Sequence, residues 1–348
     1  MPRFIRALAA LILFPALLWA QAEHPDSVDR PPSHGALNLG IGHTGLSIGN
    51  SRDWNGLRIN WQDHWDGTIN GVNLTLGNAK HNASATVNGL AVGIGPYAGK
   101  LHGVTVGILG AVADSEMWGV QLAGLGAVSN GDAYGITLSG LGTVADGRMV
   151  GLNASGLATV ANGELIGLNL AGLATVGDGN VRGISIAGLA VVANGGIDGL
   201  AAAGLATVTD GDLRGAAIGG LATVVNGSFG GIGVGGLATV VDGDARGILA
   251  GGLANVVNGS FKGIAVGGLA NVIDNVHGIE VTAGKAESWE MSGASIAGWN
   301  KVKGPARGLA IAVFNDVKEL HGLEIGLLNR ARNNRGIAEW LPGVNFHK

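Results

Sequence analysis

Residues 167–182, GLNLAGLATVGDGNVR, and residues 183–198, GISIAGLAVVANGGID, are two copies of one sixteen-residue unit. The Gly-Leu pair of this unit recurs without a change of spacing from Gly124 to Gly268, and a second glycine stands five residues before each pair. Less regular units extend the pattern outward to Gly40 and Gly336. Self-similarity at a fixed period is the signature of a repeat protein. The sequence therefore predicts about twenty units in one Gly-rich β-repeat domain, 37–348, with no second compartment for a conventional active site.

Side chains alternate in character within each unit. Leu168, Leu170 and Val176 are aliphatic, whereas Asn169 and Thr175 at intervening positions are smaller and polar. A period of two over ten residues, bounded by Asn-Gly or Asp-Gly, predicts a strand closed by a turn. A helix is disfavoured because glycine falls twice in every ten residues and the aliphatic side chains do not keep a 3.6-residue spacing. We therefore expect an all-β protein in which each unit is one strand and one turn.

The first residue of the turn alternates between Asp and Asn. In chain order these residues are Asp114, Asn130, Asp146, Asn162, Asp178, Asn194, Asp210, Asn226, Asp242, Asn258 and Asp274. An up strand followed by a down strand gives such a thirty-two-residue period, because the two ends of a hairpin ladder face different surroundings. We therefore predict an antiparallel meander, in which Asp178 lies opposite Arg182 across its turn. In the alternative, a β-solenoid, every turn is equivalent and the alternation is a relic of duplication.

A sheet of about twenty strands with two largely apolar faces must roll up, stack on itself or meet lipid. Ten tilted residues span roughly 25 Å, the height of the apolar band of an outer-membrane barrel. We therefore predict that the meander closes into a barrel, with the aliphatic face toward lipid and the small polar face inward. Early and late tryptophans would then meet at the seam: Trp54, Trp61, Trp65, Trp289, Trp299 and Trp340. Few aromatic residues and equally short turns favour the alternatives, a soluble surface solenoid or a fibre-forming repeat.

Composition excludes several classes of protein. The chain of 348 residues contains 65 glycines, 47% apolar residues and 13% charged residues, which fits neither a disordered tail nor collagen. It has no cysteine, so it has no disulfide framework and no thiolate site. The formal net charge of -4 gives the chain no electrostatic reason to bind nucleic acid.

The amino-terminal segment predicts export. Arg3 and Arg6 precede an apolar run of thirteen residues, 7–19, and Ala20-Gln21-Ala22 is the small-x-small pattern that signal peptidase recognises. We expect 1–22 to be a signal peptide, because the run is too short to cross a bilayer of about 30 Å as a helix. The polar, proline-rich segment 23–36 is predicted to be a flexible arm.

Candidate chemistry is sparse. GIGHTG, beginning at Gly40, and GIGVGG, beginning at Gly231, match the GxGxxG pattern, but neither is predicted to open a helix in a βαβ unit. Asp63, His64 and Asp66 are better explained by a solvated turn than by a catalytic group. The DGD sequences at Asp210 and Asp242 lack the frame of calcium-binding repeats, so we predict that they close turns. We therefore predict no catalytic, cofactor-binding or metal-binding residues, no cofactor and no enzymatic activity.

The segment 321–348, HGLEIGLLNRARNNRGIAEWLPGVNFHK, resembles a group of bacterial Gly-rich surface-repeat proteins. Their units follow G-[LIV]-x-[IV]-G-[LV]-x-N, and this pattern is matched by Gly322, Leu323, Ile325, Gly326, Leu327 and Asn329. The match is specific over about forty residues, and residues 308–315 form a weaker copy. The resemblance implies a secreted or outer-membrane location in a diderm bacterium and no assigned chemistry.

The leading functional hypothesis is a non-enzymatic structural or interaction protein of the cell envelope or surface. Its expected location is the outer membrane or the cell surface, after export through the inner membrane. Its expected partners are outer-membrane lipid or envelope components. One alternative is a passive outer-membrane pore, and another is a surface β-solenoid with a binding face. A minor option is ice or polysaccharide binding on one column of threonines: Thr143, Thr159, Thr175, Thr207, Thr223 and Thr239.

Overall fold

The computed structural model describes residues 35–63, 66–78 and 82–347. The predicted signal peptide, 1–22, lies outside the described residues, as does all but the end of the predicted arm, 23–36. The described residues fall into two compact units, divided between Val160 and Ala161. Within these ranges, no helix has the length and apolar character needed to cross a membrane.

The first unit is built from β-strands joined by short turns. Its strands are β1 (Leu37–Ile41), β2 (Thr44–Ile48), β3 (Trp54–Asn60), β4 (Thr68–Asn78), β5 (Thr86–Gly95), β6 (Tyr97–Gly107), β7 (Gly110–Ala123), β8 (Gly126–Ser129), β9 (Asp132–Ser139), β10 (Gly142–Ala145), β11 (Met149–Ser155) and β12 (Ala158–Ala161). Its last strand, β12, includes the division between the units.

The second unit continues the same alternation of seven-residue and four-residue strands before longer strands replace it. Its strands are β13 (Leu165–Ala171), β14 (Ala174–Gly177), β15 (Val181–Ala187), β16 (Ala190–Ala193), β17 (Ile197–Ala203), β18 (Ala206–Thr209), β19 (Leu213–Gly219), β20 (Ala222–Val225), β21 (Phe229–Gly235), β22 (Ala238–Val241), β23 (Ala245–Gly251), β24 (Ala254–Gly267), β25 (Ala270–Thr282), β26 (Lys285–Ala331) and β27 (Trp340–His347). A 3₁₀ turn, Gly336–Glu339, precedes β27.

Successive repeats pair in parallel, with equivalent positions side by side. Strand β15 pairs with β17 so that Gly183 faces Gly199, and β16 pairs with β18 so that Val192 faces Val208. The same register holds in the first unit, where β9 pairs with β11. Each repeat is therefore one coil, and each unit is a β-solenoid of stacked coils.

The predicted antiparallel meander closed into a barrel is wrong, and the β-solenoid alternative is correct. Strand direction does not alternate between coils, so the building block is sixteen residues long and not thirty-two. Each coil also contains two strands where one ten-residue strand was predicted, because the Gly172-Leu173 turn separates β13 from β14. The predicted pore and the seam of tryptophans depended on the barrel and are overturned with it.

Glycine columns hold the coils in parallel register. Gly199 has a φ of 130°, and a Cβ atom there would lie 2.1 Å from the carbonyl oxygen of Gly183 in the preceding coil. Backbone therefore packs against backbone at this position, and any side chain would force the coils apart. The fixed sixteen-residue spacing of glycine follows from this stacking.

The Asp/Asn alternation has an electrostatic cause. Identical turns stack directly in a parallel solenoid, so aspartate in every coil would make a ladder of adjacent carboxylates. Instead, the side-chain amide of Asn194 donates to Asp178 at 2.5 Å, and that of Asn258 donates to Asp242 at 2.7 Å. Alternation thus replaces a repulsive contact with a hydrogen bond. The predicted Asp178–Arg182 pair is wrong, because Arg182 contacts Glu164 at 3.2 Å and Asp198 at 3.8 Å.

The interior of the second unit has an apolar part and a polar part. Phe229 and Val225, on either side of the Asn226 turn, are fully buried. Toward the Gly-Leu turn the buried residues are smaller and more polar. There the hydroxyl of Thr223 donates a 2.7 Å hydrogen bond to the carbonyl oxygen of Val234 in the next coil. A hydrogen bond of this kind offsets the cost of burying a hydroxyl group.

The first and last described strands depart from the parallel pattern. Strand β1 pairs antiparallel with β2, and β27 pairs antiparallel with β26. Near β2 the interior contains a buried ion pair between Arg58 and Asp63, and Asn73 bonds to both side chains. The ion pair needs these extra bonds because a buried charge is costly without partners.

Candidate interaction surface

The regular coils of the second unit, from β13 to β23, have two different turns, and the columns through these turns are here called the Gly–Leu edge and the Asp–Gly edge. The Gly–Leu edge consists of the glycine-leucine turns from Gly172 to Leu269 with the outward aliphatic residues just before them, such as Ile184 and Ile186. The Asp–Gly edge consists of the turns that begin at Asp178 and its equivalents, with the residues just after them.

The Gly–Leu edge exposes an uninterrupted row of leucines. These are Leu189, Leu205, Leu221, Leu237, Leu253 and Leu269, between 43% and 61% exposed. Aliphatic residues beside them, such as Ile232 and Ile248, are also nearly half exposed. Together they form one continuous apolar surface along the coils, and contiguous apolar patches larger than a few hundred Å² are rare on monomeric proteins. The predicted inward placement of small polar residues such as Asn169 and Thr175 is confirmed, since both are fully buried.

Backbone groups along this edge are already paired. The N–H of Leu205 donates to the carbonyl oxygen of Leu189 at 2.8 Å, and the N–H of Leu221 donates to that of Leu205 at 2.7 Å. The leucine side chains add no polar atoms. The edge therefore offers hydrocarbon contact and no free backbone donor at these leucines.

The first unit repeats this arrangement as a shallow open groove. Gly124 and Gly140 line it together with the aliphatic residues Val106, Leu122 and Leu138. Because glycine has no side chain, the floor of the groove at Gly124 and Gly140 is backbone, and the aliphatic side chains beside them form its walls. The groove is therefore another apolar feature of the Gly-Leu turns.

The Asp–Gly edge is polar, and side-chain hydrogen bonds link its turns from one coil to the next. The N–H of Ser228 donates to Oδ1 of Asp212 at 2.9 Å, and the N–H of Ser260 donates to Oδ1 of Asp244 at 2.8 Å. These aspartates of the DGD sequences therefore link their turn to the turn of the next coil, whereas the prediction was that they close their own turn. Charged side chains such as Arg214 also lie on this side of the coil, immediately after the turn. Apolar and charged surfaces are thus separated across each coil.

Aromatic residues follow the leucine row in the later coils. In the coil after Leu269, the position equivalent to Leu269 is occupied by Gly284. In the coil after that, the N–H of Trp299 donates to the carbonyl oxygen of Gly284 at 2.9 Å. The ring of Phe314 lies 5.9 Å from that of Trp299 and is stacked 6.1 Å from that of Trp340. Cations lie over the tryptophans: Lys285 is 5.1 Å from the Trp299 ring and Arg330 is 4.6 Å from the Trp340 ring. Neighbouring rings and cations therefore cover several of the ring faces.

The threonine column proposed as an ice- or polysaccharide-binding ladder is not at the surface. Thr143, Thr159, Thr175, Thr207, Thr223 and Thr239 are at most 1% exposed. The strands stack in parallel, as such a ladder requires, but the hydroxyl groups face the interior. This predicted surface is therefore wrong.

The remaining sequence motifs are structural where the chain is described. Gly40 and Gly45 lie opposite each other in the β1–β2 hairpin, and Gly231 lies within β21, so neither GxGxxG match opens a helix. The predicted solvated turn is wrong for Asp63, which is buried in an ion pair with Arg58. His64 lies outside the described residues. Within the described ranges, no group of three or more His, Asp or Glu side chains is placed to hold a metal ion.

Two buried carboxyl groups in the second unit escaped the sequence analysis. Glu280 and Glu324 are at most 1% exposed. They follow Gly278 and Gly322 by two residues, and these glycines are the equivalents of Gly199 in later coils. In an earlier coil the same inward position is occupied by Ala265. Burial raises the pKa of Glu280 to about 7, against a hydrogen bond from Ser295. Burial, with the charge of Asp316, raises the pKa of Glu324 to about 7. An acidic residue at this inward position was the signal in the sequence that could have found them.

The described surface thus offers hydrocarbon contact at one edge and charge at the other. The buried carboxyl groups of Glu280 and Glu324 lie inside the coils, away from both edges. Their raised pKa values arise from burial within the repeat, which makes them determinants of stability. Comparison of the chain with family models, curated proteins and solved structures found no match.

Proposed function

We propose that this chain is a non-enzymatic structural and interaction protein of the cell envelope or surface. It is exported through the inner membrane, loses residues 1–22 and works as a surface β-solenoid with a binding face. Its partners are outer-membrane lipid or other envelope components, and it acts without a cofactor or nucleic acid. The resemblance of residues 321–348 to bacterial surface-repeat proteins supports this location.

One observation carries the proposal: the separation of apolar and charged side chains across the coil. Leu221 at the Gly–Leu edge is 47% exposed, as are its equivalents in neighbouring coils, whereas Asp210 and Arg214 lie at the other side. A repeated apolar edge of this size is typical of a protein that works against another surface. The stacked coils supply a rigid support for that edge, because every strand is hydrogen-bonded to the next coil.

The location is tested in intact cells of a diderm bacterium that expresses the full chain. Because the chain has no cysteine, Ser228→Cys on the exposed Asp–Gly edge gives one labelling site. We expect the mature chain to begin at Glu23, to fractionate with the envelope, and to react with a membrane-impermeant maleimide before lysis or after permeabilisation of the outer membrane. A chain that keeps its first 22 residues and is labelled only in the cytosolic fraction would overturn the proposal.

A further inference from the structure

We propose that the Gly–Leu edge of the second unit lies in the acyl region of a lipid surface while the Asp–Gly edge stays in water. This assignment deepens the proposed function and rests on it, because it names the partner of the binding face. It makes the solenoid an interfacial protein that lies on a membrane without crossing it.

The chemistry of the edge selects hydrocarbon. A peptide strand or a polysaccharide needs hydrogen-bond partners, and the backbone groups of Leu205 and Leu221 are already bonded to neighbouring coils. The exposed side chains of the row are all aliphatic: Leu189, Leu205, Leu221, Leu237, Leu253 and Leu269. An apolar layer is therefore the surface that this edge matches without unpaired polar groups.

Charge is placed as an interfacial protein requires. Arg214 and Asp212 lie at the Asp–Gly edge, on the other side of the coil from the leucine row. When the leucines enter the acyl layer, these charges keep their contact with water. The leucine row thus gains by leaving water, and no charge is desolvated in exchange.

The aromatic end of the row supplies a second, independent observation. Trp299 and Trp340 are about 40% exposed, and each carries a cation over its ring, Lys285 and Arg330 respectively. Tryptophan with a neighbouring cation suits the boundary between acyl chains and phosphate headgroups. These residues follow the leucine row, so they extend the same edge into groups that favour a headgroup layer.

A second copy of the chain fits this edge less well. The leucines lie in turns between strands, as Leu189 does between β15 and β16, so they project as a narrow row. Two such rows would touch mainly through their leucine side chains, whereas a standard interface buries roughly 800 Å² per partner. Fluid acyl chains close around a projecting row and remove its whole surface from water.

Vesicle binding by the purified full chain tests the assignment. The test variant is Leu205→Gln/Leu221→Gln/Leu237→Gln, and the matched control is Arg214→Gln/Ser228→Gln/Arg246→Gln at the other edge. Partition into phosphatidylcholine vesicles should fall by about a hundredfold or more in the test variant and by less than about twofold in the control. Added phosphatidylglycerol or salt should change the binding of the unmodified chain far less than the leucine substitutions do, because the leucine row makes most of the contact. Failure of the unmodified chain to partition, or equal partition of all three proteins, would overturn the assignment.

Single-cysteine labelling keeps the test valid if the triple variant does not fold. An environment-sensitive dye on Leu221→Cys should shift to the blue when vesicles are added, and the same dye on Ser228→Cys should not. Equal shifts at both positions, or none at Leu221, would overturn the assignment. Sedimentation adds one more outcome: a dimer that the triple leucine variant dissociates, together with no vesicle binding, would show that a second copy covers the edge.

The two proposals fail separately. A chain found in the envelope of intact cells that does not bind these vesicles would overturn the lipid assignment and leave the proposed location intact. A cytosolic chain whose purified form binds vesicles through Leu221 would overturn the location and leave the chemistry of the edge intact.

Discussion

The side-chain amide of Asn226 donates a 2.7 Å hydrogen bond to Oδ1 of Asp210, sixteen residues earlier and in the preceding coil. The same bond joins Asn130 to Asp114 at 2.9 Å in the first unit. Each pair links two coils, so the Asp/Asn alternation has a period of two coils although equivalent strands of successive coils pair in parallel. The alternation therefore reflects charge spacing along a stack and says nothing about strand direction.

Replacing Asn226 with Asp should destabilise the stack. The variant places carboxylates side by side in three successive coils, at Asp210, position 226 and Asp242. We expect the free energy of unfolding to fall by about 1 kcal/mol at low ionic strength and to recover in high salt, because exposed charges are screened. The control is Asp210→Asn, which places amides instead of carboxylates in three successive coils, at Asn194, position 210 and Asn226. This variant should have a smaller effect on the free energy of unfolding, and salt should not change it. Urea unfolding at two salt concentrations measures both, and an Asn226→Asp loss that salt does not relieve would contradict this explanation.

Two adjacent glycines should respond very differently to alanine. A Cβ atom at Gly231, whose φ is 140°, would lie 1.8 Å from the carbonyl oxygen of Gly215, whereas one at Gly230 would meet nothing closer than 3.9 Å. We expect Gly231→Ala to cost roughly 3 kcal/mol or more of unfolding free energy, and Gly230→Ala to cost less than about 0.5 kcal/mol. Chemical denaturation compares the two variants. Similar losses for both would mean that the coils do not approach closely at Gly231.

The sequence predicts the repeat, its β-structure and the side chains that face inward, but neither the strand direction nor the division of each unit into two strands. Alternation of Leu168 with Asn169 marks two faces of a strand and is the same in parallel and antiparallel sheets. The Asp/Asn alternation, seen at Asp178 and its equivalents, is compatible with either strand direction, and the antiparallel interpretation was wrong. The recurrence of glycine at Gly183 and Gly199 was the better indicator. In the structure both have positive φ, and a Cβ atom at Gly199 would lie 2.1 Å from the carbonyl oxygen of Gly183 in the preceding coil, so like-on-like stacking requires glycine here.

The candidate surface was predicted only in part. Outward placement of Ile184 and Ile186 follows from the period of two, and the structure agrees. The turn at Leu189 was missed, because Gly-Leu was taken as strand interior, and so was the concentration of apolar side chains at one edge. Thr207 illustrates the converse: its parallel ladder exists, but the side chain is buried and its hydroxyl group donates to the carbonyl oxygen of Ile218 in the next coil.

The buried carboxyl groups should make stability depend on pH. The pKa of Glu324 is raised from 4.5 to about 7 in the folded chain, and so is that of Glu280. Below pH 4.5 both states are protonated and no penalty exists. Between pH 4.5 and 7 the unfolded chain ionises first, so stability falls as pH rises, by roughly 3 kcal/mol per group once pH 7 is passed.

Glutamine variants test this pH dependence. Glu280→Gln and Glu324→Gln should each remove part of the fall in unfolding free energy between pH 4.5 and 7, and should stabilise the chain at pH 8. Glu287→Gln is the control with the opposite sign, because bonds from Lys285 and Lys303 lower the pKa of Glu287 to about 2. Glu287→Gln should destabilise the chain at neutral pH, and this loss of unfolding free energy should disappear as pH falls from 4.5 toward 2. Unchanged slopes in both buried variants, measured by urea unfolding across this range, would show that the two groups are not buried.

The parallel stack itself is tested most directly by a distance between spin labels at Ser228→Cys and Asp244→Cys, in a chain that has no other cysteine. The N–H of Phe229 donates to the carbonyl oxygen of Asp244 at 2.8 Å, which makes the two labelled positions neighbours at the Asp–Gly edge. In stacked coils their Cα atoms lie about 5 Å apart, and the labels should show strong dipolar broadening. Alternating strand directions would place them at opposite ends of a strand, roughly 30 Å apart, and an absence of broadening would contradict the solenoid.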